Sequence, residues 1–223
     1  MTKVKSYLSL IKFSHTIFAM PFALIGFFIP AANRIQVFSK VYSYSGPYGG
    51  EPGVVNRPMS FSADSPKSFT ELWLLLALIV LCMVFARSAA MAFNRYLDRH
   101  FDAKNPRTAV REIPAGVITP KNAMAFTLIS CVLFIACTWF INSICFYLSP
   151  VALAVVLGYS YTKRFTPLCH LILGLGLSLA PIGAYLAVTG EFALLPILFS
   201  IAVIFWVSGF DIIYALQDEE FDK

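Results

Sequence analysis

A dense group of charged side chains lies between Asn94 and Arg111, in the stretch NRYLDRHFDAKNPRTAVR. On a helix, Asn94, Asp98 and Asp102 would share one face, because each is four residues after the last. Carboxylate and amide oxygens suit Mg²⁺, which takes few protein carboxylates and also binds substrate phosphates. Arg107 and Arg111 are four residues apart, and guanidinium groups match phosphate oxygens bidentately. The pattern predicts a metal and diphosphate site, and the alternative is a solvated helix end with internal salt bridges.

A second acidic motif, DIIYALQDEEFD, follows on the last apolar run of the sequence. Asp211, Asp218 and Asp222 are spaced seven and four residues apart, so a helix would return them to nearly one face. Asp211 falls within the apolar run, where an ionisable residue is costly and is functional by default. Tyr214 lies near the same face. Two such carboxylate-rich helix ends can face each other across one cavity and could hold two metal ions that bridge a diphosphate.

A third cluster, GYSYTKRFT, carries Tyr159, Lys163 and Arg164 at the end of another apolar run. Its functional interpretation is contact with a diphosphate or an anionic acceptor, and the alternative is ordinary basic flanking of a membrane span. Arg87 lies inside an apolar run and must therefore face the interior of a helix bundle. An acceptor carboxylate and a buried acid are both open as its partner.

The rest of the chain has the composition of a membrane protein. Of its 223 residues, 58% are hydrophobic and 13% charged, against about 45–50% and about 25% in soluble domains. A span takes about 20 apolar residues, and six stretches qualify: 13–32, 71–93, 122–141, 144–161, 167–189 and 192–216. The expected fold is an all-α, multi-span transmembrane helical bundle that forms a single domain over residues 1–223.

Basic residues are distributed unevenly between the two sides of this bundle. Segments 1–12, 94–121, 162–166 and 217–223 contain twelve of the seventeen. The positive-inside rule then places the N-terminus and all three charged clusters in the cytoplasm, and it explains the net charge of +5 without a nucleic-acid partner. Segment 34–70 is rich in Gly, Pro and Ser and is predicted to be an irregular extracytoplasmic loop. The five cysteines form no CxxC pair, which argues against a cysteine metal site or a disulfide framework.

These motifs resemble the UbiA superfamily of intramembrane prenyltransferases. The family signature N-D-x-x-D-x-x-x-D resembles residues 94–102, with Arg95 in place of the first Asp. The pattern RTxxR matches residues 107–111, YxxxKRxT matches 159–166, and DxxYAxxDxxxD matches 211–222. The stretches ARSAAMAFNR and DAKNPRT look most similar to the 4-hydroxybenzoate polyprenyltransferase-like branch. That branch is similar to enzymes of ubiquinone synthesis and includes bacterial members assigned to menaquinone synthesis.

The resemblance implies transfer of a polyprenyl group from polyprenyl diphosphate to a small aromatic acceptor, such as 4-hydroxybenzoate or a related quinone precursor. It implies Mg²⁺ as the cofactor and a bacterial plasma membrane as the location. The metal ligands expected are Asn94, Asp98, Asp102, Asp211, Asp218 and Asp222. Catalytic roles are expected for Asp98, Asp102 and Asp218, with Asp102 or Asp218 as acceptor of the ring proton. Diphosphate contacts are expected from Arg107, Arg111, Lys163 and Arg164, and acceptor contacts from Arg87, Tyr159 and Tyr214.

Two further expectations concern the number of membrane spans and the alternative functions. Family members usually have about nine spans against the six counted here, so the chain is expected to lack about three C-terminal helices. A transporter or channel with an acidic ion site is the alternative from another class, but transporters place such sites near the bilayer midplane and show repeats. Here the acids cluster at one edge of the membrane. A UbiA-type enzyme with haem, chlorophyll or a lipid as acceptor is the alternative within the family.

Overall fold

A computed structural model describes residues 3–10, 20–32 and 69–215, and every regular element within them is an α-helix. In chain order the helices are α1 (Lys3–Leu10), α2 (Met20–Ala32), α3 (Phe69–Asp102), α4 (Pro120–Ile141), α5 (Ser143–Thr162), α6 (Cys169–Thr189) and α7 (Leu194–Ala215). Helices α3 to α7 are each long and apolar enough to cross a bilayer, whereas α2 is shorter.

The predicted all-α membrane bundle is confirmed, and five of the six predicted spans correspond to α3–α7. Of the first predicted span, 13–32, only the second part lies within the described residues, where it forms α2. The predicted loop 34–70 lies outside the described residues except for positions 69 and 70. Those two residues already belong to α3, so the loop prediction was too long at that end.

Helix α3 carries the first acidic motif out of the apolar part of the bundle. It has 34 residues, which makes it about 51 Å long at 1.5 Å per residue, whereas a hydrocarbon core is about 30 Å thick. The helix continues without a break to Asp102. Asn94, Asp98 and Asp102 therefore lie four and eight residues apart on one continuous helix, as their spacing predicts.

Successive membrane-spanning helices run antiparallel, and their connections range from the single residue Asn142 to the segment 103–119. Asn142 ends α4 and caps α5, where its side chain accepts a hydrogen bond of 2.8 Å from the Cys145 amide. Its Nδ2 also donates to the Leu186 carbonyl of α6 at 2.8 Å, which ties this turn to the neighbouring helix. Because the chain reverses at each turn, the C-terminal ends of α3, α5 and α7 lie at the same end of the bundle as the N-terminal ends of α4 and α6. The residues of all three charged clusters that the structure describes are at that end.

Helices α6 and α7 pack closely because Gly174 leaves room for the backbone of α7. A Cβ atom on Gly174 would lie 2.5 Å from the Ile204 carbonyl oxygen and 2.6 Å from Ser208 Oγ. The Ser208 hydroxyl is in turn 3.0 Å from the His170 carbonyl oxygen of α6. Small residues allow this close approach of membrane helices, and here they hold the start of α6 against the end of α7.

Gly174→Ala is expected to lower the free energy of unfolding by about 1–3 kcal/mol, the usual cost of an overpacked site. The contact lies against backbone, which cannot move aside as a flexible side chain would. Gly183→Ala is the matched control in the same helix, since a Cβ there meets nothing within 4 Å among the described residues. Thermal unfolding of both variants in detergent measures the difference, and equal transition midpoints would contradict the close packing described.

Candidate active site

The acidic face of α3 contacts the basic end of α5. Lys163 Nζ donates a hydrogen bond of 2.6 Å to Asn94 Oδ1 and forms an ion pair with Asp98 Oδ2. Arg164 Nη2 lies 3.6 Å from Asp98 Oδ1 and donates to the Leu97 carbonyl at 2.8 Å. Each Asp98 carboxylate oxygen therefore faces a cation. Because the Asp98 side chain is only 14% exposed, little water surrounds these contacts. A predicted metal ligand and two predicted phosphate-binding side chains are thus in direct contact.

The side chains of Asn94 and Asp98 converge on a single cation, the ammonium group of Lys163. Amide and carboxylate oxygens are the hard ligands that Mg²⁺ prefers, so this donor set fits that ion. Among the residues that the structure describes, no three His, Cys, Asp or Glu side chains form a ready metal cluster. Mg²⁺ takes few protein oxygens and completes its shell with water and phosphate.

The loop that follows α3 positions Arg111 on Asp102. Thr108 Oγ1 donates a hydrogen bond of 2.9 Å to the Asp102 carbonyl, which folds the loop back over the helix end. Arg111 Nη1 then donates to Asp102 Oδ1 at 2.6 Å. The other carboxylate oxygen, Oδ2, is buried and has no hydrogen-bond partner within the described part of the chain. Asp102 therefore keeps one oxygen for a ligand or a proton.

Arg95 stands where the family signature has its first Asp, and it is 7% exposed. Its guanidinium interacts favourably with Asp98, Asp102 and Glu112 and unfavourably with Arg111. A fixed cation therefore replaces a carboxylate beside the acidic face. The first motif therefore has three oxygen-bearing side chains on this face instead of four.

Two polar side chains from α3 and α5 lie behind this face. Arg87 is half-buried, and its Nε atom is fully buried with no hydrogen-bond partner among residues 3–10, 20–32 and 69–215. The Tyr159 hydroxyl interacts electrostatically with Arg87, with Asp98 of the first acidic motif and with Asp211 of the second. One tyrosine is therefore within range of both motifs, and Arg87 lies beside it.

The second acidic motif meets α6 at a histidine that the sequence analysis missed. His170 Nδ1 and Asp211 Oδ2 are 2.7 Å apart, and the two side chains are 24% and 26% exposed. No signature contains His170, and its partner is 41 residues away in the sequence. The position of Asp211 does indicate such a partner, because an acid inside an apolar run needs a polar group from a neighbouring helix.

Four other predicted site residues remain: Asp218, Asp222, Arg107 and Tyr214. Asp218 and Asp222 lie outside the described residues. Arg107 is exposed on the loop after α3. Tyr214 is 54% exposed and its ring packs against Phe210 at 4.8 Å between centroids, so it stands apart from the paired side chains described above.

Fold and site together define an integral membrane protein built of helices, with interlocked acidic and basic clusters at one end of its bundle. The model of the UbiA prenyltransferase family matches residues 59–223, and the chain belongs to that family. The resemblance recognised in the charged motifs is thereby confirmed.

Curated relatives agree with this assignment. The 4-hydroxybenzoate octaprenyltransferase of Albidiferax ferrireducens is 33% identical over 150 residues, which are 67% of this chain and 51% of the relative. The 4-hydroxybenzoate octaprenyltransferase of Tolumonas auensis is 36% identical over 148 residues, which are 66% of this chain and 52% of the relative. The chain thus spans about half the length of the curated relatives it matches.

Solved structures show the same fold. A UbiA homolog from Aeropyrum pernix K1 matches with a TM-score of 0.69 and 29% identity, over 94% of this chain and 66% of that one. A UbiA homolog from Archaeoglobus fulgidus bound to GPP and Mg²⁺ matches with a TM-score of 0.63 and 19% identity, over 97% and 65%.

Proposed function

We propose that this protein transfers a polyprenyl group from polyprenyl diphosphate to a small aromatic acceptor, such as 4-hydroxybenzoate or a related quinone precursor, in a Mg²⁺-dependent reaction. The observation that carries the proposal is the convergence of Asn94 and Asp98 on one cation, with Arg164 alongside. Relatives with the name 4-hydroxybenzoate octaprenyltransferase support the acceptor. A fold relative bound to GPP and Mg²⁺ supports the diphosphate and the metal.

The metal would be held by side chains of both acidic motifs. Asn94 and Asp98 supply a converging amide and carboxylate, and the other proposed ligands are Asp102, Asp211, Asp218 and Asp222. When bound, Mg²⁺ supplies charge neutralisation on the diphosphate and orients it for departure.

Basic side chains at the site would bind the diphosphate. Lys163 and Arg164 pair with Asp98, and Arg111 pairs with Asp102, so each already points into the acidic region and can transfer its hydrogen bonds to phosphate oxygens. Arg107, on the same loop as Arg111, is proposed to join them. During the reaction the allylic C–O bond breaks and its electron pair leaves with the diphosphate. These cations stabilise the negative charge that grows on the leaving group.

The acceptor would bind deeper in the bundle, beside Arg87 and Tyr159. The Arg87 guanidinium is the natural partner of an aromatic carboxylate, because its buried Nε has no hydrogen-bond partner within the described residues. A ring carbon of the acceptor forms the new bond to the allylic carbon, and the ring then loses a proton. Asp102, whose Oδ2 has no hydrogen-bond partner within the described residues, and Asp218 are the proposed proton acceptors, and Tyr214 is proposed as a further acceptor contact.

The proposed membrane orientation has the site on the cytoplasmic side of a bacterial plasma membrane, and the uneven distribution of basic residues supports it. Surrounding lipid would supply the long prenyl substrate laterally. The bacterial origin of the relatives supports a plasma membrane as the location.

The test is an assay of the purified protein in nanodiscs with polyprenyl diphosphate and a panel of aromatic acids, read by mass spectrometry. Prenylated product is expected with Mg²⁺, is expected to disappear with excess EDTA and to return when Mg²⁺ is restored. Turnover that persists in EDTA would remove the metal from the proposal. Prenylation of haem, chlorophyll precursors or lipid alcohols, with no product from any aromatic acid, would overturn the acceptor class.

A further inference from the structure

His170 and Asp211 form a hydrogen-bonded pair next to the proposed metal site. At 2.7 Å between Nδ1 and Oδ2, an ionised carboxylate can only accept, so the imidazole donates its Nδ1–H. This bond occupies Oδ2 of Asp211, so Oδ1 is the carboxylate oxygen that it does not use. Asp211 also interacts electrostatically with the Tyr159 hydroxyl, which interacts with Asp98 in the same way. The pair therefore belongs to the region between the two acidic motifs.

The two helices that carry the pair, α6 and α7, are held together next to it. Ser208, one turn before Asp211, lies 3.0 Å from the carbonyl oxygen of His170 itself. Gly174, one turn after His170, brings α6 against the Ile204 carbonyl of α7. These contacts lie on the interior side of the pair and hold α6 against α7 within one turn of it, so the imidazole and the carboxylate have little freedom to move apart. Such rigidity is what a metal ligand requires for a constant position.

We infer that His170 is a positioning residue that holds one oxygen of Asp211 so that the other serves the metal bound with the diphosphate. The inference rests on the proposed function, in which Asp211 is a metal ligand. Hydrogen-bond partners of metal-binding carboxylates fix the orientation and charge of the ligand, and their loss typically costs about 10–100-fold in metal affinity. His170 is then a functional partner of the second acidic motif, although it lies outside the signature of that motif.

Manganese binding in the presence of an unreactive thio-analogue of geranyl diphosphate tests this role. Water-proton relaxation separates protein-bound Mn²⁺ from Mn²⁺ complexed by the analogue in solution. His170→Leu removes the donor and is expected to raise the Mn²⁺ dissociation constant about 10–100-fold. His170→Asn places an amide N–H near the former Nδ1 and is expected to restore most of the affinity. His100→Leu, at an exposed histidine near the end of α3, is the matched control and is expected to change nothing.

A double-mutant cycle separates positioning through Asp211 from a general structural effect. With Asp211→Asn already present, His170→Leu is expected to cause no further loss of Mn²⁺ affinity, since its effect passes through that carboxylate. Should His170→Leu fail to accumulate in the membrane, the comparison of His170→Gln with His170→Asn replaces it. Glutamine keeps the bulk but places its donor near Nε2, so it is expected to bind Mn²⁺ as weakly as the leucine variant.

Two outcomes would overturn the inference, and they have different consequences for the proposed function. If the unmutated protein binds Mn²⁺ with the analogue and His170→Leu binds it equally well, the positioning role is wrong while the proposed function stands. If the unmutated protein binds no Mn²⁺ even with the analogue, both are wrong. Loss of thermal stability without a change in the dissociation constant would identify His170 as a structural partner of Asp211 only.

Discussion

Asp98→Ala is expected to lower the rate of prenyl transfer by at least about 10²–10³-fold, the range measured when one preorganised charge-stabilising group is removed from an active site. Asp98 lies between Asn94, Lys163 and Arg164 and pairs with both bases. Its loss would remove a proposed metal ligand and release two cations from their positions. The rate of product formation at saturating Mg²⁺ and diphosphate measures the effect.

Two companion variants make the Asp98 result specific. Asp98→Asn keeps the shape and one acceptor oxygen but loses the charge, and it is expected to remain close to the alanine variant in rate. Glu191→Ala removes an exposed carboxylate at the opposite end of the bundle and is expected to retain the full rate. A rate within a few-fold of the unmutated protein for Asp98→Ala would show that this carboxylate does not hold the metal.

Elements of the fold that depend on local pattern were predictable from the sequence. Apolar runs of about 20 residues identify α3 to α7, because a bilayer demands that length whatever the tertiary contacts are. The extension of α3 through Asp102 follows from the four-residue spacing of Asn94, Asp98 and Asp102, which makes sense only on a helix. In both cases the information lies within a single segment of the chain.

Contacts between segments were not predictable in the same way. Lys163 meets Asp98 across 65 residues, and His170 meets Asp211 across 41. Periodicity says which residues share a face of one helix, but it does not say which neighbouring helix covers that face. The motifs indicate a phosphate contact for Lys163 and a metal contact for Asp98, and nothing in their spacing indicates that the two side chains pair directly.

That pairing has a physical reason. Residues chosen to bind a cation and residues chosen to bind an anion have opposite charges, and a site of low solvent exposure favours their contact. In the structure the Lys163 ammonium occupies the point on which Asn94 and Asp98 converge. A divalent ion can take the same point only if the ammonium withdraws, and an incoming diphosphate offers the ammonium new oxygens. Metal and diphosphate should therefore strengthen each other's binding, by the same factor in both directions.

Lys163→Met is expected to strengthen metal binding in the absence of diphosphate and to weaken the binding of diphosphate itself. Methionine keeps much of the length but no charge, so Asn94 and Asp98 lose their internal cation. Without diphosphate, Mn²⁺ is expected to bind about 5–150-fold more tightly than to the unmutated protein, the usual range of a coupling between two ligands. Diphosphate binding is expected to weaken, because a phosphate contact is gone, and the rate of prenyl transfer to fall with it.

Titration of Mn²⁺ with and without the geranyl diphosphate thio-analogue measures both affinities and their coupling in one protein preparation. Lys121→Met, at an exposed lysine in the first turn of α4, is the matched control and is expected to leave both affinities unchanged. If Lys163→Met binds Mn²⁺ no better than the unmutated protein when diphosphate is absent, the ammonium does not compete for the metal position. A coupling between Mn²⁺ and the analogue that survives the substitution in full would mean that the basic groups remaining at the site, Arg164 and Arg111, transmit it without Lys163.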